Sequence, residues 1–399
     1  MALKSNKLGL LTTKIGSGIT PRGGQSVYQN LGTHLIRSQN IYNHKFEKNG
    51  LVCISQEIAE KMKSVEIMND DVLINITGDS VARVYLVPDE ILPARVNQHV
   101  CILRTKPELN PHYLYYFLIN PTTQNHLLSI AGIGGTRNAL TKEMLYNLII
   151  EYPDLPTQEK IVKQLNTIKN KIITLENQNH ILEETAQTIF KSWFVDFDGI
   201  TEFEDSELGK IPKGWKAESL DQNINFLNGL ALQKFRPMTE EFLPVIKIKE
   251  MNEGFSNKTD KAGLHIDPKY IVKNGDVLFS WSGSLELMLW YHGDGALNQH
   301  LFKVTSEKFK SWFFYQWINF HLSQFRRIAA GKRTTMGHIQ RHHLAEAKIL
   351  VPPPEILEKH NSFFQPMIDQ ILSNKLESES LTKIRDTLLP KLMSGEIRV

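Results

Sequence analysis

At about 150 residues per domain, a chain of 399 residues predicts two or three domains, each able to bury its own core. With 46 Lys and Arg against 43 Asp and Glu, 22% charged and 41% hydrophobic residues, the composition excludes a polybasic tail, a disordered chain and a collagen-like one, while a net charge of +3 leaves a local basic face open. Two cysteines, Cys53 and Cys101, exclude a disulfide scaffold and a four-thiolate zinc site; the most apolar stretch, 277–291, is broken by Glu286, and the N-terminus has no export signal, so a cytoplasmic protein is expected.

In chain order, the first feature is a glycine turn, Gly16-Ser17-Gly18-Ile19, running into Thr20-Pro21-Arg22. Apolar stretches rich in β-branched residues predict strands over 71–76, 81–87 and 98–104. Asn110-Pro111 starts an aromatic stretch through Tyr113, whose apolar neighbours on every side suit a core helix better than a base-stacking platform. A glycine-led basic loop, Gly134-Gly135-Thr136-Arg137-Asn138, and a β-branched run stopping at Pro153 complete the first mixed segment.

From 157 to 190, apolar residues recur at Ile161, Leu165, Ile168, Ile172, Leu175, Leu182, Ala186 and Ile189, with Asn179 filling the one gap. Steps of three and four make a heptad seam, which predicts a helix about 50 Å long at about 1.5 Å per residue. A polar Asn179 on such a seam is expected to fix register at some cost in stability.

An acidic, then Gly- and Pro-bearing linker over 198–214 leads into a second copy of the same landmarks. Asn228-Gly229 with Gln233-Lys234 is the counterpart of the first glycine turn, and strands are predicted over 245–248, 276–280 and 299–304. Asp276-Val277-Leu278 echoes Asp71-Val72-Leu73, and each runs into a polar glycine turn carrying Thr77 or Ser282. Asn298-Gln299-His300 echoes Asn97-Gln98-His99, the Trp312 stretch echoes that at Tyr113, and Gly331-Lys332-Arg333-Thr334-Thr335 echoes the basic loop. The order is kept while the offset drifts only from 205 to 199, so the chain is a tandem duplication.

The second seam is poorer: Phe364, Met367, Ile371, Asn374, Ser378, Leu381, Arg385 and Leu388, with Pro390 expected to end the helix. A long apolar stripe must be buried, and the duplicate has the matching period. The fold expected is α+β: a strand-rich α+β domain followed by a long helix, twice, the helices pairing as an antiparallel coiled coil through Leu165, Ile168, Ile172, Leu175, Asn179, Leu182 and Ile189 against Phe364, Met367, Ile371, Leu381 and Leu388. The boundaries read are 1–153, 154–198, 199–351 and 352–399.

Leu155-Pro156-Thr157-Gln158-Glu159-Lys160-Ile161-Val162, the run IFKSWFVDFDGI over 189–200 and the tail LTKIRDTLLPKLMSGEIRV over 381–399 closely resemble the two conserved regions of specificity subunits of Type I restriction-modification systems. The glycine turn Gly16 to Pro21 and the paired Asn-Gln-His segments, read as strands, look like the same family's target-recognition domains, and the resemblance covers essentially the whole chain. In the second half His360-Asn361 stands where the first copy has Ile161-Val162, and Arg385 falls on the seam, so the helix pairing departs from the usual pattern there.

The resemblance implies a non-catalytic subunit that selects a bipartite, asymmetric sequence in double-stranded DNA, each domain reading one half-site and the paired helices setting the gap. It further implies two methyltransferase subunits carrying S-adenosylmethionine, and restriction and translocase subunits using ATP and Mg²⁺. No cofactor, metal or catalytic residue is expected on this chain, and no membrane.

Rival chemistry lacks its motifs. Asn110-Pro111-His112-Tyr113 departs from an adenine methyltransferase NPPY at the third position, and Gly16-Ser17-Gly18 runs into Ile-Thr-Pro instead of opening a dinucleotide-type helix. Glu346-Ala347-Lys348 has no nearby Pro-Asp partner, and His338 and His342 lack the intervening Glu of a zinc hydrolase.

DNA phosphates need Lys, Arg, hydroxyls and backbone N–H groups, and bases need bidentate Arg, Lys, Asn or Gln. The foremost candidates are therefore the duplicated loops, Thr136, Arg137 and Asn138 with Lys332, Arg333, Thr334 and Thr335. Thr20, Arg22, Thr77, Gln233, Lys234 and Ser282 follow. The other reading is a scaffold that organises a complex without touching DNA, separated from the first by whether Arg137 and the Lys332-Arg333 loop share one basic face.

Overall fold

The computed structural model describes residues 3–132, 138–331 and 337–399, and the chain divides into two compact units, Met1–Asn170 with Thr382–Val399, and Lys171–Leu381. These differ from the boundaries expected at 153 and 351, because each unit takes in a portion of both long helices.

In the first unit an antiparallel sheet runs in the order Thr12–Ser17, Val100–Thr105, Val72–Asn75, Val84–Leu86. The strand Val72–Asn75 has core on both faces: Val72 and Ile74 join one hydrophobic cluster and Leu73 another. Alternation sends neighbouring side chains to opposite faces, and two covered faces explain why this strand reads as an unbroken apolar run. Thr33–Ile36 pairs parallel with Ala94–Val96, and Lys4–Lys7 pairs with Ile149–Tyr152.

The second unit repeats the order with Asn225–Asn228, Leu301–Thr305, Val277–Ser280 and Leu287–Leu289. Here Val277 and Phe279 enter one cluster and Leu278 another. Leu243–Ile246 pairs parallel with Gly295–Leu297, and Lys216–Ser219 pairs with Lys348–Val351.

In both units the aromatic helix is core. Asn110 caps Pro111–Ile119 by accepting from His112 N and Tyr113 N at 2.9 and 3.2 Å, and the proline at the first turn gives up no needed donor. Tyr113, Tyr115 and Tyr116, and in the second unit Trp312 and Phe313 on Ser311–Ala330, are fully buried. Cys53 and Cys101 are buried free thiols, and burial pushes Cys101 up to about 12.

Several expectations need correction. The strand expected over 81–87 is only Val84–Leu86, since a turn at Gly78–Ser80 and a left-handed Ala82 (φ 67°) precede it. Ile248 opens a helix, Ile248–Glu253, instead of ending a strand. The linker over 198–214 contains a hairpin, Phe203–Ser206 with Gly209–Pro212, whose Ile211 is buried.

The first long helix spans Leu155–Lys191 and is followed by a wide turn, Ser192–Asp196, stopped by left-handed Phe197. The second spans Pro354–Ser394 and runs through Pro390, which was expected to end it. An interior proline costs about 3 kcal/mol, whereas full burial of a Leu or Met side chain contributes about 1.5–3 kcal/mol. Leu389, Leu392 and Met393 are all buried in the first unit's core with Ile161, Val162 and Leu165, which offsets that cost.

In the second unit the two helices run antiparallel: Trp193 packs on His360 and Phe364, Asn179 meets Asn374, and Lys171 pairs with Glu377 at 3.2 Å. Leu165, Ile172, Leu175, Asn179, Phe364 and Ile371 are buried. Ile168, Leu182, Ile189, Met367, Leu381 and Leu388 are half-buried. Phe190, Ile368 and Leu389 take the buried places beside Ile189, Met367 and Leu388. A helix of 3.6 residues per turn drifts about 20° per heptad, which moves the buried stripe one residue along.

Candidate nucleic-acid interface

The duplicated landmarks converge at one place in each unit. In the first, the strand Thr12–Ser17 ends against the turn joining Ala94–Val96 to Val100–Thr105. Gly18 N donates to Val100 O at 2.9 Å and Ile19 N to Val96 O at 3.0 Å. Only glycine permits this approach, because a Cβ on Gly18 would stand 2.1 Å from Val96 O.

The Asn-Gln-His segment, expected as strand, is a turn. Asn97 Oδ1 accepts from His99 N at 3.2 Å, a local side-chain bond that bends the backbone before the strand starts at Val100. Thr77 Oγ1 and His99 Nδ1 are 2.6 Å apart, and Gln98 Nε2 lies 3.3 Å from His99 Nε2. Gly78 N donates to Asn138 O at 3.1 Å and Thr77 bridges Ala139, so the chain returning from the basic loop is tied to the same turn.

The second unit is built the same way. Gly229 N donates to Leu301 O at 3.1 Å and Leu230 N to Leu297 O at 2.9 Å, and a Cβ on Gly229 would stand 2.2 Å from Asn298 O. Asn298 Oδ1 accepts from His300 N at 3.4 Å, Ser282 Oγ is 3.2 Å from His300 Nδ1, and Gln299 Nε2 is 3.4 Å from His300 Nε2. Gly283 N donates to Gly337 O at 3.0 Å and Ser282 bridges His338. Trp281 Nε1 additionally donates to Asn228 Oδ1 at 3.0 Å, a bond Ile76 has no means to copy.

Thr20 and Arg22 are exposed beyond the first glycine turn, and Gln233 and Lys234 are exposed on a short turn, Leu232–Lys234, beyond the second. Asn138 is exposed, Thr77 half-buried, and Ser282 buried with its hydroxyl turned to His300. Thr136, Arg137, Lys332, Arg333, Thr334 and Thr335 lie outside the described residues, and so does the comparison of their faces. Gln98, His99, Gln299 and His300 were absent from the residue-by-residue expectation. The repeated tripeptide was the signal for them, since a turn kept through divergence in both copies has a shared task.

His338 precedes the helix Arg341–Glu346 that carries His342, so the two histidines do not share a helical face. Arg37 follows Thr33–Ile36, donates to Gly50 O and lies over the Tyr28 ring. Lys247 follows Leu243–Ile246 and pairs with Asp260. Among the described residues no cluster of three His, Cys, Asp or Glu is placed to hold a metal ion, and no helix is long and apolar enough to cross a membrane.

The family model of the Type I restriction modification DNA specificity domain matches the chain twice, over residues 22–184 and 212–383. The MjaIX specificity subunit of Methanocaldococcus jannaschii, a Type I restriction enzyme subunit, is 30% identical over 322 residues, covering 77% of this chain and 74% of its own. The HindI specificity subunit of Haemophilus influenzae is 24% identical over 362 residues, covering 72% and 77%. The crystal structure of a Type I restriction-modification S subunit from M. genitalium superposes with a TM-score of 0.61 at 15% identity, covering 98% of this chain and 96% of that one, a likeness of fold. The chain therefore belongs to the specificity subunits of Type I restriction-modification systems and carries two recognition domains.

Proposed function

We propose that this chain gives a Type I restriction-modification complex its DNA sequence specificity, each recognition domain reading one half of a bipartite, asymmetric duplex site. The observation that carries this reading is the duplicated constellation of close-packed glycine, Asn-Gln-His turn and His-bonded hydroxyl, with Asn138 and Gly337 bonded beside it through Gly78 N and Gly283 N. Duplicated polar and basic elements suit two contacts with a repeating phosphate backbone.

In this reading the chain performs no chemistry. Two methyltransferase subunits dock on it and bring S-adenosylmethionine, and restriction and translocase subunits bring ATP and Mg²⁺. The paired helices set the gap between half-sites, which lie about 34 Å apart when read one turn apart on the same side of B-DNA.

The test is to purify the chain with and without its methyltransferase subunits and to map methylated adenines in cells that carry or lack it. Expected are salt-sensitive binding that sharpens in the complex, and methylation at one bipartite motif that disappears with this chain. Methyl transfer by the purified chain alone would sink the reading. Removing the charge of Arg137 should weaken one half-site and that of Arg333 the other; damage to the same half-site by both would defeat the two-reader arrangement.

A further inference from the structure

Each Asn-Gln-His turn forms a three-membered hydrogen-bond chain that the family assignment does not explain. In the first unit it runs Gln98 Nε2 to His99 Nε2, then His99 Nδ1 to Thr77 Oγ1, at 3.3 and 2.6 Å. In the second it runs Gln299 Nε2 to His300 Nε2, then His300 Nδ1 to Ser282 Oγ, at 3.4 and 3.2 Å.

The donor inventory orients both chains. A carboxamide nitrogen only donates, so the imidazole Nε2 facing it accepts, and the ring proton sits on Nδ1 and is donated to the hydroxyl. The glutamine thus selects the tautomer, and the hydroxyl, which can donate or accept, suits it. The imidazole consumes one N–H of the glutamine and leaves that side chain a second N–H and its carbonyl oxygen. Those are the two groups with which a glutamine recognises the major-groove edge of adenine, donating to N7 and accepting from N6. Gln98 is exposed while His99 and Thr77 are half-buried, and in the second unit His300 is exposed and Gln299 half-buried while Ser282 is buried, so in each chain the Gln-His end lies outward of the hydroxyl.

We propose that Gln98 and Gln299 are specificity-determining residues, each reading an adenine in its own half-site, and that His99 with Thr77 and His300 with Ser282 are positioning residues that lock the carboxamide for that contact. This rests on the DNA-reading function proposed above. It goes further in assigning the base class, the reading atoms and the residues that aim them. It also requires an adenine contact in both half-sites, since the same chain is built in both units.

The experiment uses the full chain in complex with its methyltransferase subunits and measures methylation across duplexes carrying every single-base change in the wild-type motif. Gln98→Ala should lower the preference for adenine at one position of one half-site by about tenfold or more, and Gln299→Ala should do the same in the other half-site. Gln98→Glu, which exchanges the N–H donor for an acceptor, should shift preference at that position toward cytosine. Thr77→Val and His99→Ala should relax the same position as Gln98→Ala, with Thr77→Ser restoring it, and Gln98→Ala/His99→Ala should be no worse than Gln98→Ala. A purely structural role for the histidine would lower activity on all duplexes alike without changing base preference, and that result overturns the assignment. So does a wild-type motif whose base preferences survive both Gln98→Ala and Gln299→Ala. A wild-type complex with no base preference anywhere defeats the DNA-reading function itself, and this assignment with it.

Discussion

Asn374 Nδ2 donates to Asn179 Oδ1 at 2.9 Å inside the helix pair of the second unit, and both side chains are buried. Asn179 Nδ2 in turn donates to Ile371 O at 3.3 Å, so the pair fixes one helix against the other at a single level. Asn179→Ala leaves a buried amide without its partner and should destabilise by about 1–3 kcal/mol. Replacing both by Leu should cost less than either single change or add stability while weakening register. Denaturant unfolding of the two single variants and the double variant checks this, and a double variant less stable than either single contradicts it.

Gly18 and Gly229 hold the backbone where no side chain fits. Gly18→Ala and Gly229→Ala would drive a methyl group into the carbonyls of Val96 and Asn298, at 2.1 and 2.2 Å. Each should cost about 1–3 kcal/mol as overpacking and displace the neighbouring Asn-Gln-His turn. Thermal unfolding with half-site discrimination measures both effects; a stable variant with unchanged discrimination would contradict them.

Arg104 grips the fully buried carboxylate of Asp71 with Nε at 2.8 Å and Nη2 at 2.7 Å. The bonded carboxylate raises the Arg104 pKa above its ordinary value. The second unit has Lys303 paired with Asp276 at 2.8 Å, where the carboxylate is partly exposed. Arg104→Ala strands a buried charge and should cost about 3–5 kcal/mol, and Lys303→Ala should cost less because water still reaches Asp276. Denaturant midpoints give the order, and a larger effect of Lys303→Ala would reverse the argument.

His44 holds a left-handed backbone, φ 71°, and burial, followed by the nearby charge of Arg385, lowers its pKa to about 4. The unfolded chain takes up this proton near pH 6.5. Between those values the unfolded state binds more protons than the folded one, so stability is lost as pH falls from about 6.5 to about 4. His44→Asn, which tolerates the same backbone, should remove up to about 3 kcal/mol of that loss. Urea unfolding at pH 7 and pH 4 tests it, and equal losses in the two proteins would count against it.

The aromatic helices and the doubly covered strands were legible because their signals are local: Asn110-Pro111 caps a helix, and Val72-Leu73-Ile74 has no polar face to give to water. The helix seam was legible in period but not residue by residue. Phe190 displaces Ile189 and Ile368 displaces Met367 only because a partner lies at a particular angle. Pro390 was misread for a related reason, since local propensity ends a helix there and buried Leu389, Leu392 and Met393 keep it going.

By itself the sequence determined the duplication and the alternation of mixed segment and helix, since order, spacing and period are properties of one strand of chain, and its motifs at 155–162, 189–200 and 381–399 carried the resemblance to the family. Only the tertiary structure decided that Thr77 meets His99, that Ser282 meets His300, and that Gly18 and Gly229 close against the Asn-Gln-His turns. These partners are 18 to 79 residues apart. No local preference brings them together; the sheet register does, by placing four strand ends side by side and leaving their polar turns to satisfy one another.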